Sequence, residues 1–329
     1  MGIGIYTLVT SADNTIRQGY MASTGHSLIF IAKEKGFFEE EGLDVQLYEF
    51  STGPEGLTAL IADKIDVQSG GVAQPLEFIN KEKDLQVIGG MMSGGSAAIA
   101  KNQQLADSLR NDPKKYEGLT VAAVKMSTSD VAIKSALKEQ GMDLTKINFA
   151  YFRTAADVVK AVKTGKADAD LVWPPFQYTA QQQGLAIVKH SNEYLPNHPC
   201  CRVITTSAKL NENPDKWVKY ERALIKAYNF YKNDPDGTTA VVGKYVKMDP
   251  AVLKQALYDG HLSLSPVPNK KGTIEFWKHV EAIGYSKLDP NVDLSKHIGT
   301  SIYKKALDQL SSQFPNNANY QFLQQEYPR

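Results

Sequence analysis

Cysteine and the common cofactor motifs are scarce in this sequence. Only two of the 329 residues are cysteine, and they are neighbours, Cys200 and Cys201. Adjacent Cα atoms lie about 3.8 Å apart, which is shorter than a disulfide usually spans, so we expect no disulfide framework. Glycine-rich phosphate loops, dinucleotide fingerprints and HExxH zinc motifs are absent. We therefore predict no cofactor.

A bias toward one sign of charge is also missing. The chain has 37 Lys and Arg against 36 Asp and Glu, a net charge of +1, and this balance does not call for nucleic acid or an anionic membrane. No apolar run approaches the length of a membrane span. The start of the chain, residues 1–9, is too short and lacks the basic residues of a cleavable signal. We expect either a cytosolic chain or a mature exported chain carrying an added Met.

The first half of the chain alternates helical and extended patterns. Residues 15–21 can form a strand, "HSLIFIAKEKG" a helix that Gly36 ends, and "LDVQLYEF" a second strand. A further helix and strand follow in "LTALIADKIDVQSGG". This alternation is typical of parallel β-α-β units, and the length suggests two lobes.

The same order of elements recurs about a hundred residues later, ending in "VVKAVKTGKADADLVWPP". A shift of 102 residues aligns identical residues in the two copies: Phe50 with Phe152, Thr52 with Thr154, Ala59 with Ala161, Lys64 with Lys166, and Asp66 with Asp168. The repeat predicts two similar α/β lobes.

After Trp173 the pattern changes. A proline-bounded loop leads into a short apolar strand at residues 202–206, and three helical segments follow from residue 214 onward. The C-terminal stretch "SSQFPNNANYQFLQQEYPR" is polar, and we expect it to be extended.

Turns rich in hydroxyl residues and glycine follow the predicted strands, where open α/β sheets bind ligands. Such residues before a helix either cap it or hold an anion with its free N–H groups. His26 either donates to a ligand or caps its helix, Arg153 either binds an acidic ligand or forms an exposed ion pair, and Trp173 is either a ligand wall or an interlobe contact. The predicted ligand-binding residues are Ser23, Thr24, His26, Ser51, Thr52, Gly53, Gly71, Val72, Gly94, Ser127, Thr128, Ser129, Arg153, Trp173 and Phe176.

The loop "HPCCR" combines His198, Cys200 and Cys201, which raises metal or nucleophile chemistry. Structural zinc normally takes four ligands, and no second cluster exists. No orienting His–Asp pair for a catalytic thiol can be identified. We therefore predict no metal site and no catalytic residue, and we expect a buried loop that enters the next strand.

Two segments resemble a known family. "GHSLIFIAKEKGFFEEEGLDVQL" and "ALIADKIDVQSGGVAQPLEFI" are similar to substrate-binding proteins of nitrate, sulfonate and taurine ABC importers and to the related NMT1/THI5-like group, and "AVKTGKADADLVWPPF" resembles their second-lobe equivalent. Asp63 stands where that family usually has glycine. The likeness covers residues 19–206 well and the remainder loosely.

The resemblance implies a periplasmic-binding-protein-like (type II) α/β fold of two lobes, each a mixed, mostly parallel sheet flanked by helices. Lobe I would comprise residues 1–98 and 203–329, with extra C-terminal helices, and lobe II residues 99–202, with hinge crossovers near 96–101 and 202–206. The implied partners are a small-molecule ligand, held by hinge closure, and a membrane permease.

The expected location is extracytoplasmic, with a lipid anchor left open, and the expected state is a monomer without nucleic acid. A sulfonate-like or other organic anion, including an aromatic one, is the favoured ligand. The alternatives are a pyrimidine-precursor-synthesising enzyme or precursor binder of the THI5/NMT1 type, and the sensing domain of a regulator. The regulator is disfavoured because no basic helix-turn-helix segment is seen.

Overall fold

The computed structural model describes residues 14–327 of the chain. Within them the strands are β1 Thr15–Tyr20, β2 Asp44–Glu49, β3 Val67–Gly71, β4 Gln86–Gly90, β5 Met92–Gly94, β6 Ala97–Ala100, β7 Thr120–Ala123, β8 Asn148–Tyr151, β9 Ala169–Val172, β10 Ala186–His190, β11 Cys201–Thr205 and β12 Leu262–Leu264.

The helices of the described residues flank these strands and dominate the last third. They are α1 Ser27–Glu34, α2 Phe37–Glu40, α3 Gly53–Ile61, α4 Ala73–Asn80, α5 Gln103–Asn111, α6 Thr128–Glu139, α7 Ala155–Lys163, α8 Phe176–Gln182, α9 Ser191–Tyr194, α10 Ser207–Glu212, α11 Pro214–Asn233, α12 Pro235–Val242, α13 Pro250–Tyr258, α14 Lys270–Ala282, α15 Ser301–Gln313 and α16 Ala318–Glu326. None of the helices within residues 14–327 combines the length and apolar character needed to cross a membrane.

Two five-stranded sheets share one topology. The first has the order β2-β1-β3-β11-β4 and the second the order β8-β7-β9-β6-β10. In each, the first three strands are parallel, and the fourth is antiparallel to its neighbours. β6 belongs to the second sheet but follows a segment that leaves the first, and β11 belongs to the first sheet but follows a segment that leaves the second. The predicted repeat is confirmed, and α3 and α7 share the offset of 102 residues at both ends. The lobe boundaries and hinge positions stay predictions.

The repeated aspartate has the same structural task in both sheets. Asp66 Oδ2 accepts the Arg17 backbone N–H at 2.7 Å, and Asp168 Oδ2 accepts the Thr120 backbone N–H at 3.0 Å. Asp66 also pairs with Arg17, at 2.8 Å, and Asp168 pairs with Lys101, at 2.7 Å. Each carboxylate thus ties the loop before its own strand to the neighbouring central strand, which explains its place in both copies.

The C-terminal region is helical, so the expectation of an extended tail is wrong. Asn317 Oδ1 accepts the backbone N–H groups of Asn319 and Tyr320 and caps α16. Tyr320 and Leu323, three residues apart, are buried against the first sheet's core. Packing of this apolar pair stabilises a helix whose other positions are polar.

Candidate functional site

A cleft of about 280 Å³ lies where the carboxyl ends of the strands of the two sheets face each other. The first sheet contributes the segments after β1, β2 and β3, and the second contributes those after β7, β8 and β9. Eleven of the fifteen predicted ligand-binding residues line this cleft: Ser23, His26, Ser51, Thr52, Gly53, Gly71, Ser127, Thr128, Ser129, Arg153 and Trp173.

The other four predicted residues lie outside the cleft lining. Thr24 is buried in the turn before α1, where its carbonyl accepts the Ser27 hydroxyl at 2.6 Å. Val72 is buried at the start of α4. Gly94 pairs with β12 within the segment that connects the sheets. Phe176 lies on the first turn of α8 and lines a separate groove of about 670 Å³, because the turn after Trp173 directs consecutive side chains to different surfaces.

Hydroxyl residues cap three of the helices that begin at the cleft. Thr52 caps α3, Ser127 caps α6 and Thr154 caps α7, each accepting a backbone N–H of the first turn at 3.2–3.4 Å. All three also line the cleft. The remaining free N–H groups and the positive ends of these helix dipoles therefore point toward the cavity, an arrangement that favours an anionic group.

Three polar groups at the cleft are buried and have no hydrogen-bond partner among residues 14–327: His26 Nε2, Ser96 Oγ and Thr128 Oγ1. The Met21 backbone N–H donates to His26 Nδ1 at 3.0 Å, so Nε2 carries the proton and faces the cavity as a donor. Burial lowers the pKa of His26 to about 3. The imidazole is therefore neutral at physiological pH and offers a hydrogen bond without a charge.

Fixed charge is confined to the rim of the cleft. Arg153 Nη1 pairs with Glu55 Oε1 at 2.7 Å, and their side chains are 69% and 43% exposed. This confirms the exposed ion pair that was weighed for Arg153. Lys125 lies 5.7 Å from the ring centroids of Tyr151 and Tyr285 and is exposed. An anion in this cleft would meet dipoles and hydroxyls inside and cations only at the edge.

Comparison with known proteins decides the family. The NMT1-like family matches residues 10–245, well over half of the chain. This chain belongs to the NMT1-like family.

Two curated relatives and a solved structure show the range of its similarities. A protein of Bacillus subtilis (strain 168) named as a candidate aliphatic sulfonates-binding protein is 26% identical over 302 residues, covering 87% of this chain and 86% of the relative. The 4-amino-5-hydroxymethyl-2-methylpyrimidine phosphate synthase of Aspergillus parasiticus is 25% identical over 251 residues, covering 72% and 70%. The periplasmic nitrate-binding protein NrtA of Synechocystis PCC 6803 superposes with a TM-score of 0.79 at 16% identity, covering 91% of this chain and 89% of that one. The structural likeness shows the periplasmic-binding-protein fold.

In this NMT1-like chain a buried polar cluster joins the second sheet to the C-terminal helices. We call Asp130, Lys134, Tyr151 and Tyr285 the Tyr285 cluster. Tyr285 donates to Asp130 Oδ2 at 2.6 Å, and Lys134 Nζ donates to the Tyr151 and Tyr285 hydroxyls at 2.6 and 2.7 Å. Asp130 and Lys134 are almost fully buried and lie 3.2 Å apart. Because Asp130 is on α6 and Tyr285 follows α14, the cluster clamps these helices together beside the cleft.

A second group of contacts joins elements beside the second sheet to the segment between α13 and β12. The Tyr178 hydroxyl donates to Asp259, and the rings of His190 and His261 stack with centroids 3.4 Å apart. Gln177 Nε2 donates to the Gly95 carbonyl at 2.7 Å. These contacts tie α8 and β10 to the segment after α13 and to the segment between the sheets.

The "HPCCR" loop separates into two environments. His198 is buried, with Nε2 2.9 Å from Ser191 Oγ, and it does not line the cleft. Burial lowers the pKa of His198 to about 4. Cys200 and Cys201 do line the cleft. Within residues 14–327 no group of three or more His, Cys, Asp or Glu side chains is placed to hold a metal ion.

Sequence reasoning missed several residues of the cleft lining. They include Met21, Glu55, Gln74, Met92, Ser96, Cys200 and Cys201. Met92 and Ser96 lie in or directly after the glycine-rich segment between the sheets, and the neighbouring glycines were the one available signal. The cysteines precede and begin β11, and only the insertion of that strand beside β3 brings them to the cavity.

Proposed function

We propose that this protein is the solute-binding component of an ABC importer, which captures a small organic anion between its two lobes and delivers it to a membrane permease. The observation that carries the proposal is the set of unpartnered donors and hydroxyls in the cleft. His26 belongs to the first sheet's side, Thr128 to the second, and Ser96 to the segment between them. Buried polar groups without partners are costly, and a ligand that bridges the sheets would satisfy all three.

The charge distribution supports an anion with a small polar head. The starts of α3, α6 and α7 direct N–H dipoles into the cleft, and Arg153 lies at its edge. A sulfonate or carboxylate accepts several such donors, while Trp173 offers a flat surface to an apolar or aromatic tail. The cavity lies at the lower end of the usual size of ligand sites, which favours a small solute.

The relatives support both the role and the location. The Bacillus subtilis relative is named for binding aliphatic sulfonates and the Synechocystis protein for binding nitrate in the periplasm. By analogy the chain acts outside the cytoplasmic membrane. We propose that it does so as a monomer and binds without turnover. Binding would favour a closed arrangement because the ligand contacts both sheets.

A thermal-shift screen of alkane- and arylsulfonates, carboxylates, nitrate and pyrimidines tests the proposal. A solute at 100 times its Kd adds about 2.7 kcal/mol, which corresponds to a rise in Tm of about 4 °C for a chain of this length. A panel without any shift would contradict the import role.

Matched variants then locate the site. Thr128→Val removes a hydroxyl that has no hydrogen-bond partner among the described residues, so stability should hold or rise while solute affinity falls by about 10- to 150-fold, the value of a hydrogen bond to a charged group. Thr206→Val is the control because its hydroxyl caps α10, accepting the Lys209 N–H at 3.3 Å. The control should lose about 1 kcal/mol of stability and keep its solute response. A Thr128→Val protein that binds as tightly as wild type would place the solute elsewhere.

A synthase on the same fold is the second candidate. Two observations favour it: the Aspergillus parasiticus relative and the presence of Cys200 and Cys201 on the cleft wall. A synthase would release a pyrimidine product with multiple turnovers, whereas the importer component binds one solute per chain and returns it unchanged. Mass spectrometry of the bound and released molecule separates the two.

A further inference from the structure

The two cysteines of the chain form one sulfur surface in the cleft. Cys200 and Cys201 are 4% and 5% exposed and both line the cavity. Side chains of consecutive residues in an extended strand point to opposite faces, yet their Sγ atoms are only 3.8 Å apart. The chain at the start of β11 therefore turns both sulfurs to the same wall.

The separation of the sulfurs suits a bridging atom better than a direct bond. A disulfide normally joins Cα atoms about 4.4–6.8 Å apart, and consecutive Cα atoms lie at about 3.8 Å, so a direct bond would strain the chain. Two sulfurs that each lie about 2.3 Å from one shared atom are themselves about 3.3–3.8 Å apart when the angle at that atom is about 90–110°. The observed Sγ–Sγ distance of 3.8 Å lies at the upper end of that range.

The surroundings of the pair favour a nucleophilic sulfur. Arg202 is 1% exposed, and no carboxylate within residues 14–327 forms an ion pair with it. Its guanidinium donates to the carbonyls of Cys201 and Met92 at 2.8 and 3.0 Å. The pKa of the Cys200 thiol is lowered because the Cys201 thiol donates to it and because Arg202 supplies positive charge. The same hydrogen bond between the two sulfurs raises the pKa of the Cys201 thiol, so the pair has one reactive sulfur and one adjacent thiol.

Further polarisable atoms border the pair. A Cβ placed on Gly25 would lie 3.0 Å from Met92 Sδ and 3.2 Å from Cys201 Sγ. Met92 and Met21 also line the cleft. Thioethers and thiols together make a soft surface on one wall, distinct from the helix starts that face it.

We propose that Cys200 and Cys201 form a dithiol site on the cleft wall that captures trivalent arsenicals, and thiophilic electrophiles of that kind, through both sulfurs. The Cys200 sulfur attacks arsenic first and the Cys201 sulfur follows. Two As–S bonds form, the bonds from arsenic to its oxo oxygen break, and the two thiol protons leave with that oxygen as water. Arsenic stays trivalent, so the step needs no oxidant or reductant. The captured group occupies the cleft and excludes another solute.

The test uses the full chain, reduced, with phenylarsine oxide as the probe. Intact-mass spectrometry should show one arsenical added with loss of one water, and thiol titration should fall from two free cysteines to none. The adduct should survive excess monothiol and be reversed by a small dithiol. Absence of an adduct that survives monothiol on the folded protein would overturn the proposal.

Cys200→Ser and Cys201→Ser are matched controls, since each keeps one thiol. Bidentate attachment exceeds single attachment by about 10²- to 10⁴-fold, so each variant should lose the adduct when monothiol is present. Retention by either variant would contradict capture through both sulfurs. Gly25→Ala keeps both thiols but places a Cβ 3.2 Å from Cys201 Sγ, so it should slow capture in the folded protein and leave the rate in denaturant unchanged. An unchanged rate in the folded variant would contradict capture through the Cys201 sulfur in its folded position.

This inference rests on the geometry of the cleft and not on solute import. Adduct formation is measured without any solute, so its failure leaves the import proposal standing. A negative solute screen likewise leaves the dithiol site standing.

Discussion

Replacing Tyr285 by phenylalanine tests how the Tyr285 cluster holds the cleft. The substitution keeps the ring and removes the hydroxyl that donates to Asp130 Oδ2 at 2.6 Å and accepts from Lys134 at 2.7 Å. Asp130 is fully buried, and burial raises its pKa even though Lys134 and Tyr285 oppose this. The charged form of a carboxylate in this position depends on each hydrogen bond that it accepts.

The magnitude follows from the kind of bond that is lost. A hydrogen bond to a charged group contributes about 1.5–3 kcal/mol. For a chain of this length, about 2 kcal/mol lowers Tm by about 3 °C. Because the bond links α6 to the segment after α14, its loss under the proposed hinge motion would also lower the ratio of closed to open protein, by about 30-fold for 2 kcal/mol.

Tyr151→Phe is the matched control within the same cluster. It also removes one hydroxyl, which accepts from Lys134 at 2.6 Å and lies 2.8 Å from the Tyr285 hydroxyl, but this hydroxyl makes no bond to Asp130. Because Tyr151 is 41% exposed, water can replace its hydroxyl at these partners, and we expect a smaller loss, below about 1 kcal/mol. The two changes therefore differ in the bond to the buried carboxylate.

Thermal melts and small-angle X-ray scattering without solute provide the measurements. Tyr285→Phe should melt lower and show a larger radius of gyration than wild type, while Tyr151→Phe should resemble wild type in both. Equal behaviour of the two variants, or a Tyr285→Phe protein as stable and as compact as wild type, would refute the reasoning.

Three further predictions concern the cleft and the repeat. Burial holds the pKa of His26 at about 3 against about 6.5 in the unfolded chain, so its contribution to stability is present above pH 6.5 and is lost as the pH falls toward 3. His26→Asn should therefore reduce the slope of the unfolding free energy against pH, between pH 6 and 4, by about 1.4 kcal/mol per pH unit. An unchanged slope would show that the His26 imidazole is not buried in its neutral form. Gly71→Ala places a Cβ 2.7 Å from Thr128 Oγ1 inside the cleft, so calorimetry should show weakened solute binding, and unaltered affinity would exclude this wall from the site. Asp66→Asn should cost about 2–3 kcal/mol in denaturant unfolding and Asp168→Asn about 1 kcal/mol, since the first side chain is 13% exposed with two cationic partners and the second 28% exposed with one; the reverse order would contradict the argument from burial and number of partners.

The site was predictable in part because hydroxyl and glycine residues mark the ends of parallel strands. That signal located Thr52, Ser127 and the other cleft residues at the starts of helices, and it left open whether they cap those helices or hold a ligand. It could not separate Trp173, which lines the cleft, from Phe176, which does not. The direction of each side chain depends on the turn between them. Such a turn has no regular spacing of apolar residues from which side-chain directions could be predicted.

The sequence by itself determined the alternation of helices and strands and its repetition with a shift of 102 residues, because apolar spacing and turn residues act locally. It also located the two aspartates, although their partners Arg17 and Lys101 lie far away in the chain. Only the tertiary structure decided that β6 and β11 are inserted between parallel strands. That insertion carries Ser96 and the cysteine pair to the cleft. Strand order depends on hydrogen bonds between residues 69 to 136 positions apart, and local sequence patterns do not indicate which strands will pair.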